Sequence, residues 1–342
     1  MLLQSSLEKD LELVLLDSTQ RSVPPPGVTR RALDASRRIV EFIVKLFLHR
    51  PDTVLIFCGS GPSLAEKSLM SFMARMLRRP VLLFPRGGGI LRRYRERAAL
   101  SFWVRVALKI PTKVLCQGES WQRLMVHGVG RLQGDAPIVR NWSATPKHLS
   151  IAYNSSETGP VRLLFVGWLK REKGVFDLVN ALATREADYP VVTRLVGDGD
   201  ARRELTKLIE KLGLGGEVVL AGWKSAEELL DEYAWADVFV LPSWVEGLPN
   251  SMIEAMASGL PVVVTPVGNV PDVIQNGENG LIAEARNPRA LAAAIDSLVD
   301  NPQQRARLSC AARQTARSLF GLEAAARALI DLVNQVSRPS TR

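Results

Sequence analysis

Apolar residues in the second half of the chain come in short, nearly unbroken runs. Between the runs they recur every three or four positions. Runs of this kind predict strands buried on both faces, as in a parallel sheet, and the longer period predicts helices. The expected strands are Val161–Val166, Val191–Val196, Glu217–Ala221, Val238–Leu241, Pro261–Thr265 and Gly280–Ala283. The expected helices are Gly174–Arg185, Ala201–Leu212, Ala226–Ala236, Ser251–Ser258 and Pro288–Val299, followed by a long stretch, Ala311–Val336. The first half alternates in the same way. Its strand candidates are Leu11–Leu16, Thr53–Cys58, Val81–Phe84, Lys113–Cys116 and Ile138–Arg140, with helical patterns at Thr29–Leu48 and Ser63–Leu77.

Strands alternating with helices imply α/β architecture with helices on both faces of each sheet. A chain of 342 residues has room for two such domains. The polar segment Tyr153–Pro160, ending in Gly-Pro, reads as a linker. The expected division is residues 1–155, 156–315 and a C-terminal helix and tail, 316–342, that crosses back to the first domain. Two Rossmann-like domains are expected to face each other across a cleft. A doubly wound domain usually opens with a strand, a glycine-rich turn and a helix. This chain opens with a helix-like MLLQSSLEKD before LELVLLD, so that first strand and turn are expected to be missing.

Charge divides the two halves. Residues 1–160 carry 24 Lys and Arg against 12 Asp and Glu; residues 161–342 carry 20 against 23. The first half is thus the one expected to face something anionic. Its stretch ILRRYRERAALSFWVRVALKI mixes arginines with Tyr94, Phe102 and Trp103. Two readings stand: an interfacial patch for an acidic membrane surface, or a core helix with solvated arginines. No nucleic-acid motif accompanies the charge, so nucleic acid is not an expected partner. Cys58, Cys116 and Cys310 are widely spaced, and His49, His127 and His148 show no ligand spacing. That pattern fits a reducing compartment and offers no metal site. With no apolar run long enough to span a bilayer and no signal-peptide pattern, a cytoplasmic protein is expected, peripheral at the inner membrane face if the basic patch binds there.

The richest chemistry lies in VFVLPSWVEGLPNSMIEAMA, Val238–Ala257. A strand ends at Pro242-Ser243, a loop carries Glu246, and a helix start carries Glu254. This is the ligand edge of an open α/β sheet. Carboxylates there accept hydrogen bonds from neighbouring hydroxyls of a sugar or ribose. Glu254 has a second reading, because Ser251-x-x-Glu254 has the spacing of a capping box. Glu246 has one too, as a solvated loop charge. Upstream, LLFVGWLKREKGVFDL places Gly167 at a turn and Lys173-Gly174 before a helix. A lysine beside a helix N-terminus is a phosphate site in outline. Asp198-Gly199-Asp200 could hold a nucleotide-bound metal, but its position favours a turn and an N-cap at Asp200.

These pieces, together with LVGDGD, VVLAGW, ASGLPVVVTPVGNVPDVI and NGENGLI, resemble the nucleotide-sugar-binding domain of family 4 glycosyltransferases, which have the GT-B fold. The resemblance covers roughly 161–300. The family's Glu, seven residues, Glu signature falls on Glu246 and Glu254. It implies that Glu246 holds donor-sugar hydroxyls and Glu254 the ribose. It further implies that Gly247, Leu248 and Asn250 offer backbone N–H groups, that Gly167 lines the turn, and that Lys173 binds the diphosphate. It implies retention of anomeric configuration, no cofactor and no metal. The donor expected is a UDP-sugar and the acceptor a lipid-linked or saccharide hydroxyl. Two departures stand out. Trp168 occupies the position of an arginine that also binds diphosphate. Arg86-Gly87-Gly88 replaces a His-Gly-Gly whose histidine lies near the reacting sugar, which puts Arg86 with Glu246 and Lys173 in the expected catalytic set. The expected function is therefore glycosyl transfer from a nucleoside-diphosphate sugar. The alternatives are a catalytically impaired nucleotide-binding partner of a membrane-associated glycosyltransferase, and a sugar-nucleotide epimerase, which the glutamate pair disfavours.

Overall fold

The computed structural model describes residues 7–18, 27–59, 61–91, 102–153, 159–186 and 189–337. The chain divides into two units. One comprises residues 1–141 and 322–342, the other 142–321.

The first unit contains three parallel strands in the order β1 (Val54–Cys58), β2 (Val81–Pro85), β3 (Lys113–Val114). β2 is buried along its whole length, as an unbroken VLLFP run on a central strand requires. Helix α1 (Val28–His49) and α2 (Pro62–Met76) agree with the expected helices to within a residue or two. A buffered ion pair joins them: Arg38 donates to both carboxylate oxygens of Glu66 at 2.9 Å, and Lys67 adds a third contact at 3.0 Å. α3 (Phe102–Lys109) follows residues 92–101, which lie outside the described residues and include Tyr94 and four of the five arginines of the basic aromatic stretch.

Three sequence expectations need correction in this unit. Residues 11–16 form no strand; Leu15 gives its carbonyl to Lys45 Nζ at 2.6 Å instead of to a ladder. Ile138–Arg140 makes one bridge, Ile138 to Cys116, rather than a strand. Ala311–Val336 is not one helix. It breaks at Phe320-Gly321 into Pro302–Leu319 and Leu322–Ser337 because Phe320 is fully buried and its carbonyl accepts from Ala144 N at 3.3 Å. The helix beyond the break belongs to the first unit.

The second unit is a six-stranded parallel sheet ordered β6-β5-β4-β7-β8-β9. Its strands are β4 (Val161–Val166), β5 (Val191–Val196), β6 (Val218–Gly222), β7 (Val238–Leu241), β8 (Val262–Val264) and β9 (Leu281–Ile282). The helices are α4 (Val175–Ala183), α5 (Arg202–Lys211), α6 (Glu228–Trp235), α7 (Asn250–Ala257), α8 (Pro288–Val299) and α9 (Pro302–Leu319). Chain order reverses at β4/β7, so the turns after those two strands open on the crevice where doubly wound sheets take ligands. β4, β7 and β8 are nearly or fully buried throughout. Their apolar runs made the pattern legible.

The unit begins at Trp142, earlier than the expected boundary at residue 156. The segment before β4 is attached to it. Ala144 bridges Gly321, Tyr153 OH donates to Asp237 O at 3.1 Å, and Arg313 holds the carbonyls of Ile151 and Ser258. Residues 154–158 of the expected linker lie outside the described residues.

Candidate functional site

Lys173 and Glu246 come from the turns after adjacent strands, β4 and β7. Gly167 ends β4 and donates its N–H to Val196 O at 3.0 Å. A single 3-10 turn, Arg171–Lys173, then presents the lysine, and Gly174 starts α4 in a left-handed conformation, φ +69°. That conformation favours glycine, which has no Cβ to clash. A Cβ at Gly174 would stand 1.9 Å from Pro242 O, so the two turns touch backbone to backbone. Trp244 N donates to Glu172 O at 2.8 Å and fastens them side by side.

The result is an ion pair: Lys173 Nζ donates to Glu246 Oε1 at 2.6 Å. Ser243 Oγ donates to the same oxygen at 2.8 Å, and Thr265 Oγ1 donates to the Ser243 carbonyl. Glu246 is 9% exposed and Lys173 23%. The solvated-charge reading of Glu246 is therefore wrong: this carboxylate is oriented from two sides. Trp244 braces the same loop, with its indole Nε1 donating to Asp177 Oδ2 at 2.6 Å and Arg286 lying 4.7 Å over its ring. Gly247 gives its carbonyl to Asn269 N at 2.7 Å. Leu248 is buried, and Asn250 is the first residue of α7.

Glu254 does not close a capping box. α7 starts at Asn250 after Pro249, and no side chain caps it. Ser251 is already inside the helix. Instead Tyr233 OH, on α6, donates to Glu254 Oε2 at 2.9 Å. Burial raises the Glu254 carboxyl above the usual range, and the tyrosine hydrogen bond pulls the other way. Tyr233 is 1% exposed and its phenol is pushed well up by burial and by Glu254. Among the described residues no hydrogen bond is found to the other oxygen of Glu254, which leaves that acceptor unused. Sequence reading missed Ser243, Thr265, Tyr233 and Trp244. Tyr233 sits in ELLDEYAW, where it reads as part of a core stripe.

Behind Tyr233 lies His148, whose ring meets the phenol edge-on at 5.7 Å and whose Nδ1 is 2.6 Å from Thr145 Oγ1. Burial pushes its pKa from the ordinary 6.5 down to about 4. The unfolded chain therefore binds this proton more tightly than the folded one between those values. Stability is lost as pH falls through that window, by about 3 kcal/mol at the acid end. Urea titrations at pH 7, 5.5 and 4 are expected to show this slope in the wild type and a shallower one in His148→Asn.

Asp200 is a turn residue, not the expected N-cap. α5 is preceded by Ala201, and Asp198 Oδ1 accepts from Gly199 N at 2.8 Å. Among the described residues, no group of three or more His, Cys, Asp or Glu side chains is placed to hold a metal ion. Arg86 belongs to the first unit, just past β2. Its N–H donates to Cys58 O at 2.8 Å, its guanidinium lies 5.3 Å over the Phe84 ring, and burial lowers its pKa to about 10.

Residues 150–315 match the family model described as Glycosyl transferases group 1. Glycogen synthase of Mycobacterium tuberculosis is 34% identical over 172 residues, which cover 50% of this chain and 42% of that protein. The lipopolysaccharide core biosynthesis glycosyltransferase LpsE of Rhizobium meliloti is 31% identical over 199 residues, 57% of each. The chain thus spans about half the length of the curated relatives it matches. Among solved structures, sucrose-phosphate synthase from Thermosynechococcus elongatus superposes with a TM-score of 0.73 at 23% identity, covering 93% of this chain and 82% of the other. HepE from Anabaena, in complex with UDP-glucose, gives 0.70 at 21%, covering 91% and 84%. These likenesses establish the fold.

Proposed function

We propose, for a chain whose residues 150–315 match the glycosyl transferases group 1 family, that it moves a sugar from a nucleoside-diphosphate donor to an acceptor hydroxyl. The observation that carries this reading is the Lys173–Glu246 pair at the switch point of the second sheet. When the bond between sugar and diphosphate breaks, negative charge accumulates on the leaving phosphate. An ammonium group at that point, next to the N-terminus of α4, stabilises the charge as it forms. In the ground state Glu246 already neutralises Lys173. A bound diphosphate competes for the ammonium, and Glu246, still held by Ser243, turns its acceptor capacity to donor-sugar hydroxyls. Glu254 takes a ribose hydroxyl on its free oxygen while Tyr233 fixes the other.

Gly167, Gly247, Leu248 and Asn250 shape the backbone around the donor. The diphosphate charge is met by Lys173 and helix N–H groups, so the reaction needs no metal or other cofactor. The donor is a UDP-sugar, the acceptor a saccharide or lipid-linked hydroxyl, and the anomeric configuration is retained. LpsE and the mycobacterial glycogen synthase, whose names specify saccharide products, support a saccharide acceptor. The test is a panel of UDP- and GDP-sugars with saccharide and lipid-linked acceptors, run on wild type and Lys173→Ala. Donor binding without transfer to any acceptor would instead favour a nucleotide-binding partner of another enzyme.

An anionic membrane surface is proposed as a further partner. α3 exposes Phe102 at 70% and Trp103 at 76% beside Arg105 and Lys109, the composition of an interfacial helix. No helix among the described residues is long and apolar enough to cross a membrane. Co-sedimentation with phosphatidylglycerol vesicles is expected at low salt and loss of it at high salt. Equal binding to neutral phosphatidylcholine vesicles would overturn the electrostatic part.

A further inference from the structure

Two tryptophans stand on the same sheet edge as Lys173 and Glu246, and nothing in the reading above uses them. Trp168 follows Gly167 at the end of β4, and Trp223 follows Gly222 at the end of β6. The turn after β5 ties the two ends together, with Gly197 N donating to Gly222 O at 2.8 Å and Gly167 N to Val196 O at 3.0 Å. The indole rings meet with centroids 5.4 Å apart and planes tilted by 44°. Lys170 Nζ lies 5.8 Å from the Trp168 centroid. Trp223 is 64% exposed. The two touching rings make one contiguous aromatic surface on the ligand edge, and a contiguous exposed apolar patch marks a binding site better than a single exposed side chain does.

The order of groups along the edge says which part of a donor reaches it. Glu246 lies past β7 and Lys173 past β4; the tryptophans lie past β4 and β6. From β7 to β6 is three strand spacings, about 14 Å. Sugar, diphosphate, ribose and base laid end to end cover that span. With the phosphates at Lys173, the flat end of the donor arrives at the indoles. Every nucleobase has a π-face, and a flat aromatic surface flanked by a cation holds it without reading its edge.

We infer that Trp168 and Trp223 form a stacking platform for the nucleobase of the donor; this rests on the donor reading above. Trp223 supplies the open face. Trp168, backed by Lys170, supports it from the β4 side.

The experiment is calorimetric titration of the full chain with UDP, GDP, ADP, inorganic pyrophosphate and free glucose. The proteins compared are wild type, Trp223→Ala, Trp223→Phe and Lys173→Ala. Trp223→Ala is expected to weaken the nucleoside diphosphates by about 5- to 150-fold, the usual worth of one base–aromatic stack. Pyrophosphate affinity should not change, and Trp223→Phe should keep most of the nucleotide affinity. Lys173→Ala should weaken nucleotides and pyrophosphate alike. Unchanged nucleotide affinity in Trp223→Ala overturns the platform while leaving the donor site intact. Equal loss of pyrophosphate in that variant overturns it as well, by showing general damage to the edge. Glucose binding that depends on Trp223 when nucleotide binding does not makes the pair a sugar platform and ends the base assignment. A wild type that binds neither nucleotides nor pyrophosphate defeats the donor reading itself, and the platform with it.

Discussion

Replacing Lys173 by alanine is expected to slow sugar transfer by about 10²–10³-fold, the usual cost of one charge-stabilising donor. The side chain donates at 2.6 Å to a carboxylate that is 9% exposed, and on the proposed reading it faces the phosphate on which charge grows. Two effects combine in the variant. The leaving diphosphate loses its cation, and Glu246 becomes a poorly hydrated charge without its partner. Lys173→Arg keeps the charge but not the reach or shape of an ammonium group, and is expected to recover only part of the rate. Initial rates of nucleotide release with saturating donor decide the matter. A rate within a few-fold of wild type in Lys173→Ala would remove this residue from the chemistry.

Gly174→Ala is expected to unfold the second unit at markedly lower temperature, although the added methyl group is small. At φ +69° any L side chain costs about 1–2 kcal/mol. The new Cβ would also lie 1.9 Å from Pro242 O, a backbone atom with nowhere to retreat. A total of about 3 kcal/mol or more follows, which for a unit of this size lowers Tm by roughly 6–12 °C. Gly213 is the control. Its φ is +72°, but a Cβ there meets nothing within 4 Å, so Gly213→Ala should show only the conformational part. Scanning calorimetry of the two variants separates the contributions. Equal Tm values would mean that the turns after β4 and β7 are not packed as described.

The second unit was legible because its central strands β7 and β8 are continuous apolar runs buried along their whole length, and β4 comes close to that. Val161–Val166, Val191–Val196 and Val238–Leu241 coincide with β4, β5 and β7 residue for residue. The first unit was harder to read because pattern does not report partners. Residues 11–16 look like a strand and pair with none, while Ile138 needs only one bridge to do its work. At the site, Lys173 and Glu246 could be named from sequence but their contact could not. It depends on Trp244 N reaching Glu172 O, a meeting of two turns far apart in the chain. The capping-box alternative for Glu254 failed for the same reason. Ser251-x-x-Glu254 offered a local partner, and the fold supplied Tyr233 instead. Local spacing describes what a residue can reach within its own helix and is silent about the neighbouring one.

The bridge from Ala144 to Gly321 has a consequence for how the molecule can be rebuilt. The chain enters and leaves the second unit through a single gate, with Phe320 buried as its latch. Such a cassette can be lifted out between 142 and 321 and spliced into another host without stretching either end. Evolution and the engineer therefore have the same option: to exchange the second unit while leaving the rest of the polypeptide in place.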